Sequence, residues 1–186
     1  MNHAGSQPIH TTRLLLRPFV CTDAASMLEN WIADPAIQHE YGEPVYATTS
    51  EVKTLLEHWI SQYSQPDFYR WAIIETATDA CIGQIAFCRV YSDVKTAEIE
   101  YCIGQSRWGK GYANEALSAV IAYAFENTGF TKLEAYHRAE NRKSGRVLEK
   151  SSMHQVETVR RFVLAGEVPD GEVCYCIEKE ESEKAT

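Results

Sequence analysis

What these 186 residues lack narrows the field before any motif is read. The six cysteines, Cys21, Cys81, Cys88, Cys102, Cys174 and Cys176, contain no Cys-x-x-Cys pair and no companion histidines at zinc-ligand spacing, so no metal site is expected. Four of them lie in apolar strand-like runs, where a free thiol packs as a small hydrophobe; that usage fits a reducing cytosol. No apolar run is long enough to span a bilayer, and Met1 to Pro8 lacks the charged and apolar regions of a signal peptide. A cytoplasmic protein with no membrane partner is the expectation. Basic residues are in deficit, 18 Lys and Arg against 26 Asp and Glu, for a net charge of −8. A nucleic-acid partner is therefore disfavoured, because phosphate binding needs a basic face to displace counterions. The same acidity suits a cationic substrate such as an amine. Internal repeats and low-complexity linkers are also lacking.

What is present is an ordinary globular composition, 45% hydrophobic and 24% charged, at a length suited to one well-cored domain. We read a mobile leader over 1–10, a single domain over 11–179 and a charged tail over 180–186. Thr12 to Phe19 reads as a first strand stopped by Pro18. Thr22 or Asp23 offers an N-cap for a helix through Met27, Leu28 and Trp31 that ends near Asp34-Pro35, and a loop with Gly42 and Pro44 follows. Thr48 and Glu51 have capping-box spacing ahead of a second helix with apolar Val52, Leu55, Leu56, Trp59 and Ile60. Tyr69 to Glu75 and Cys81 to Phe87 suggest an antiparallel hairpin. A fourth strand runs from about Thr96 to Ile103, and a helix from about Gly111 to Asn127 is followed by Gly129 as a C′ residue. Lys132 to His137 reads as a fifth strand and Asn141 to Lys150 as a short helix. Gln155 to Leu164 and Glu172 to Glu178 read as a last hairpin across Pro169-Asp170-Gly171.

The informative stretch runs from Glu98 to Leu117: an apolar strand, a glycine-bearing loop, and a helix whose apolar positions Ala113, Ala116, Leu117, Val120, Ile121, Ala124 and Phe125 follow three-and-four spacing. The loop therefore opens onto a helix N-terminus, where unpaired N–H groups, a positive dipole and the freedom of Gly109 and Gly111 favour an anion, a pyrophosphate above all. A glycine pair alone also serves ordinary loops. The longer run Trp108-Gly109-Lys110-Gly111-Tyr112-Ala113, followed by Asn114-Glu115-Ala116, resembles the acetyl-CoA-binding motif of the GNAT acyltransferases, in particular the Rim-type branch that acetylates ribosomal-protein N-termini. Thr12 to Arg17, Ile82-Gly83-Gln84-Ile85 and Asn141-x-x-Ser144 resemble that branch too.

The resemblance implies an α+β sandwich: the GNAT fold, a mixed sheet of about seven strands with helices on both faces, splayed between its fourth and fifth strands to admit pantetheine. It implies acetyl-CoA as cosubstrate and an amine acceptor, attacked directly in a ternary complex without metal. A protein N-terminal amine is the favoured acceptor; a small-molecule amine (polyamine, amino sugar or aminoglycoside) and a non-catalytic acetyl-CoA sensor are the rivals. A homodimer is left open, any such contact resting on the last hairpin, where Ser151-Ser152-Met153 replaces the branch's usual Leu-Gly-Phe. By resemblance, pantetheine falls to the backbone of Tyr101, Cys102 and Ile103 and to Asn141. The pyrophosphate falls to Arg107, Trp108, Gly109, Lys110, Gly111, Tyr112 and Ala113. Ser106 stands where the motif often has Gln or Arg.

For the chemistry, Ser144 is the candidate to hydrogen-bond or protonate the leaving sulfur, because Leu148 occupies the place where relatives carry a tyrosine acid. Asn141 and Ser144 could equally just start a helix. Glu98 and Glu100 share one face of the fourth strand and are the candidate bases that expose the amine lone pair, although both could be solvated strand carboxylates. Acceptor choice is expected around Gln38 to Tyr46.

Overall fold

The protein is described by a computed structural model over residues 1–180. Of the expected tail, positions 181–186 lie outside the described residues. Eight strands form one sheet: β1 (Ile9–His10), β2 (Leu14–Arg17), β3 (Arg70–Glu75), β4 (Ala80–Tyr91), β5 (Thr96–Ile103), β6 (Lys132–Arg138), β7 (His154–Val156) and β8 (Glu172–Glu178). Their order is β1-β2-β3-β4-β5-β6-β8-β7. Every pairing is antiparallel except β5 with β6, so the parallel pair sits at the middle of a mixed sheet.

Strand alternation sorts the core into two layers. From β3, Trp71 and Ile73 join the larger cluster with Leu117, Val120 and Ile121 of α4 (Tyr112–Asn127) and Leu148 of α5 (Arg142–Glu149). Their neighbours Ala72 and Ile74 turn to the opposite layer, with Trp31, Val52 and Leu56. That second layer holds α1 (Ala24–Met27), α2 (Pro35–Tyr41) and α3 (Thr49–Gln62). The α3 cap is reciprocal as expected: Glu51 N–H donates to the Thr48 hydroxyl at 3.3 Å and Thr48 N–H to the Glu51 carboxylate at 2.9 Å.

Five expectations need correction. Residues 1–10, read as a mobile leader, are tied down: Gly129 N–H donates to Asn2 O, the Tyr123 hydroxyl to Gly5 O, and Trp71 Nε1 to Gln7 O, while Ile9–His10 adds an edge strand. Main-chain carbonyls of the leader thus satisfy buried donors of the sheet and α4, which composition does not reveal. Gly129 is not a left-handed cap, since Thr128 ends α4 in extended geometry; it is small because a Cβ there would lie 2.6 Å from Met1. Asp23 holds the N-cap position of α1 but its side chain does not cap that helix; it accepts Val20 N–H at 2.9 Å across the preceding 3₁₀ turn Cys21–Asp23, with Arg17 paired to it at 2.7 Å. The first helix continues from α1 through a π-helical segment, Leu28–Ile32, and ends just before Asp34-Pro35 as expected, but Pro35 also starts α2, capped by Asp34, in the stretch read as loop. The last hairpin is interrupted: only His154–Val156 pairs with β8, and Arg160 to Leu164 belong to a helix, α6 (Arg160–Ala165). There the buried Glu134 carboxylate accepts Arg160 N–H at 2.7 Å and Phe162 packs against Tyr136, so tertiary contacts override the β-prone run.

Candidate active site

The parallel pair at the sheet centre is short. β5 and β6 are in register at Thr96↔Lys132, Ala97↔Leu133 and Glu98↔Glu134, then part, although the strands continue to Ile103 and Arg138. Backbone groups alternate sides along a strand, and Gly104 N–H donates to Ile82 O on the β4 side at 2.8 Å. Ile103 and Tyr101 therefore direct their main-chain groups into the gap, while Cys102 turns its own toward Gln84 of β4. Gly83 makes the close β4–β5 approach possible, since a Cβ on it would lie 2.1 Å from Cys102 O. A cavity of about 460 Å³ opens in the gap.

At the mouth, Gln105–Arg107 forms a single 3₁₀ turn, and Trp108 Nε1 donates back to Ile103 O at 2.6 Å. Gly109 and Gly111 take φ of 74° and 81°, the left-handed region that residues with a Cβ avoid. Gly111 is the N-cap of α4, and no side chain among the described residues caps that helix. Glu115 is the first amide to find a helical acceptor, Gly111 O at 3.0 Å, so the amides of Tyr112, Ala113 and Asn114 head the helix without intrahelical partners. Nothing lies within 4 Å of a Cβ built on Gly109, so that part of the bend is open to a ligand.

Side chains brace the bend from behind. Arg13 donates to Lys110 O at 2.9 Å and to Glu115 at 2.7 Å, and lies over the Tyr112 ring at 4.4 Å. Burial would raise Glu115, but Thr11 and Arg13 together bring it below the ordinary carboxylate range. Glu75 accepts from the Tyr112 hydroxyl at 2.6 Å, from Thr78 at 2.7 Å and from Arg107 at 3.0 Å. These bonds, the Tyr112 one foremost, hold its carboxyl down to about 2. The Arg107 and Tyr112 side chains are thus committed to Glu75.

Among the residues expected at the site, Tyr101, Cys102, Ile103, Trp108 and Ala113 line the cavity from one wall and Asn141 and Ser144 from the other. Gly109, Lys110, Gly111, Arg107 and Tyr112 do not line it; they form the bend beside it. Asn141 is the N-cap of α5, its Oδ1 accepting Ser144 N–H at 3.2 Å, so it starts a helix and faces the cavity at once. The Tyr101 hydroxyl donates to Ser144 O at 3.2 Å. Burial pushes its phenol above the ordinary range, and the contact with Ser144 opposes that.

The two carboxylates of β5 point to the α1–α3 side with Cys102, as their spacing predicts, but their settings differ. Glu98 is 2% exposed and paired with Arg89 at 2.6 Å, with Cys88 Sγ at 3.3 Å; its Oε2 has no hydrogen-bond partner. Glu100 keeps 24% exposure and pairs with Arg70 at 2.9 Å. It lies one step along the strand from Cys102, behind the cavity wall.

His39 and Glu40, inside the stretch Gln38 to Tyr46 where acceptor choice is expected, line the cavity from α2, a helix whose only signal was the Asp34-Pro35 start. Sequence reading missed cations on the cavity's other wall. Arg142, Lys143 and Arg146 line it from α5, and Lys143 Nζ stands 3.7 Å above the Trp108 ring, bridging the two walls. Among the described residues there is no cluster suited to a metal ion and no helix long and apolar enough to cross a membrane.

Three comparisons bear on this geometry. The family model "Acetyltransferase (GNAT) domain" matches residues 13–154. The chain is 27% identical over 159 residues to "Uncharacterized N-acetyltransferase p20" of Bacillus licheniformis, covering 86% of this chain and 89% of that protein. It is 27% identical over 165 residues to human "Alpha/beta-tubulin-N-acetyltransferase 9", covering 81% and 76%. The crystal structure of the ribosomal-protein-S5-alanine acetyltransferase of Vibrio fischeri has the same fold, with a TM-score of 0.76 at 13% identity, covering 94% of this chain and 97% of that one. A splayed parallel pair, an uncapped helix behind a two-glycine bend, and a family model that fits from Arg13 to His154 together make this chain a member of the GNAT acetyltransferases, which transfer acetyl from acetyl-CoA.

Proposed function

We propose that the protein acetylates the α-amine of a protein N-terminus, by direct attack on the thioester of acetyl-CoA while both substrates are bound. The observation that carries the donor half is the set of main-chain groups without strand or helix partners at Tyr101, at the Ile103 N–H and at the amides of Tyr112 to Asn114, in and beside one cavity. Tyr101 and Ile103 offer a strand edge to the pantetheine amides. The α4 amides and the left-handed glycines receive the pyrophosphate. Asn141 borders the pantetheine, and the main chain at the end of β5 donates to the developing oxyanion.

For the transfer, the acceptor nitrogen gives up a proton to a base on the α1–α3 side. Glu100 takes this role in preference to Glu98, which is sealed and paired. The N–C bond forms, the C–S bond breaks, and the thiolate takes a proton from the Ser144 hydroxyl, which regains one from solvent; the Tyr101 hydroxyl holds that residue through its main-chain carbonyl. The choice of a protein N-terminus is supported by the structural likeness to the S5-alanine acetyltransferase and by the protein acceptor in the name of the human relative. An α-amine, with a reference pKa of about 8 against about 10.4 for lysine, also asks less of the base.

The test is thiol release from acetyl-CoA against N-terminal peptides, polyamines and amino sugars. The highest kcat/KM is expected for a peptide α-amine. Faster turnover of a polyamine or amino sugar would overturn the acceptor, and coenzyme binding without acceptor-dependent thiol would overturn catalysis.

A further inference from the structure

Glu100 is not placed by its own strand alone. Strand register sets Arg70 of β3 opposite Ala86 of β4, and Ala86 opposite Glu100 of β5, so the three form one row on the α1–α3 face. Two strand spacings, roughly 9–10 Å, separate the outer members. The middle member is alanine, which leaves the space above β4 clear, and Arg70 Nη2 crosses it to reach Glu100 Oε1 at 2.9 Å. The guanidinium is also bonded to Gln84 Oε1 and lies 4.5 Å from the Trp59 ring of α3. With 14% side-chain exposure on Arg70 and 24% on Glu100, the pair is sheltered but not sealed.

We propose that Arg70 is a positioning residue for the acceptor-side proton transfer: reaching across Ala86, it aims the Glu100 carboxylate at the acceptor nitrogen. This rests on Glu100 being the base. A guanidinium suits the task because it stays charged throughout the working range and its fork can hold Glu100 and Gln84 together. The other titratable groups facing Glu100 are Glu43 beyond α2, Cys88 of β4, and Glu98 and Cys102 of β5. Burial, then Glu100, raises Glu43 while Arg70 lowers it, and burial keeps the two thiols protonated. Glu98 has its own arginine, Arg89. Arg70 is thus the cation of this group that answers Glu100.

The experiment measures kcat and KM for an acceptor peptide at saturating acetyl-CoA, with coenzyme affinity and thermal midpoint as controls. In Arg70→Met kcat is expected to fall about tenfold with coenzyme affinity unchanged, because the carboxylate loses the partner that aims it. Arg70→Lys should restore only part of kcat, since an ammonium lacks the fork that holds Glu100 and Gln84 together. Ala86→Val, which keeps both charged residues and wedges them apart, should lower kcat as Arg70→Met does and serves if that variant does not fold. Glu100→Gln should lower kcat further, and in that background Arg70→Met should cost nothing more. If Glu100→Gln lowers kcat but neither Arg70→Met nor Ala86→Val does, the positioning role is wrong and the base assignment stands. If Glu100→Gln keeps full activity, the base assignment fails and the proposal with it.

Discussion

On the proposed donor side of β5 the working groups belong to the backbone: the strand edge at Tyr101 and Ile103, the glycine bend, and the first amides of α4. On the proposed acceptor side they belong to side chains: Glu100, Arg70 and Glu43 on the α1–α3 face, and His39 and Glu40, which line the cavity from α2. The two sides therefore respond to different kinds of change. A backbone cradle depends on conformation and close approach, so it tolerates most residue identities except at its glycines. A side-chain site depends on which residue stands at each place, so it can change its acceptor without disturbing the cradle.

The widest effect should come from the strand the two sides share. In Gly83→Ala the new Cβ would meet Cys102 O at 2.1 Å, a backbone atom that cannot step aside without parting β4 from β5. A loss of about 3 kcal/mol or more is expected, read as a lower midpoint in urea unfolding, with both coenzyme and acceptor binding impaired. A near-normal midpoint would mean that the two strands are less tightly coupled than their register indicates.

Gly109→Val should separate the sides. Its Cβ meets no protein atom within 4 Å, so the folded chain bears mainly the cost of a β-branched residue at φ 74°, about 1–2 kcal/mol. The ligand, by contrast, loses its approach. Coenzyme affinity by calorimetry should fall about tenfold or more, equivalent to about 1.4 kcal/mol or more, while the acceptor KM at saturating coenzyme stays where it is. Unchanged affinity would remove the bend from the donor site.

The smallest effect concerns the brace behind the bend. Glu75 is held to about 2 in the folded protein, below its unfolded value of 4.5, so the stability it contributes is present above 4.5 and is lost as pH falls through 2. The difference in unfolding midpoint between wild type and Glu75→Gln should therefore shrink steadily over that window, checked by thermal scans at several pH values. A difference independent of pH would show that the Tyr112 and Arg107 contacts contribute through packing rather than charge.

The same division governs what could be read from the chain itself. The donor half was legible because its determinants are local: Gly109 and Gly111 fall ahead of a helical apolar repeat, and Asn141 sits at a helix start. Even there, the commitment of Arg107 and Tyr112 to Glu75 depends on β3 passing behind the bend, a contact between residues far apart in sequence. The acceptor half was legible only in part. The common face of Glu98 and Glu100 follows from strand period, but which is sealed depends on where Arg89 and Arg70 land. The helix α2 hid because Gly42 and Pro44 advertise a loop, and α6 hid because Phe162 and Val163 suit a strand as well as a helix when no partner is visible. The leader's anchoring was invisible for a different reason: its bonds are largely main-chain ones, and those leave no trace in residue type.

Among the described residues three rungs, ending at Glu98 and Glu134, join the amino-terminal half-sheet to the carboxy-terminal one. A guest strand of pantetheine, placed as proposed above, would lengthen that seam, so coenzyme would serve as mortar between two slabs as well as donating acetyl. Slower hydrogen exchange at the Tyr101 and Ile103 amides would be its signature, and the loaded enzyme should be the stiffer one.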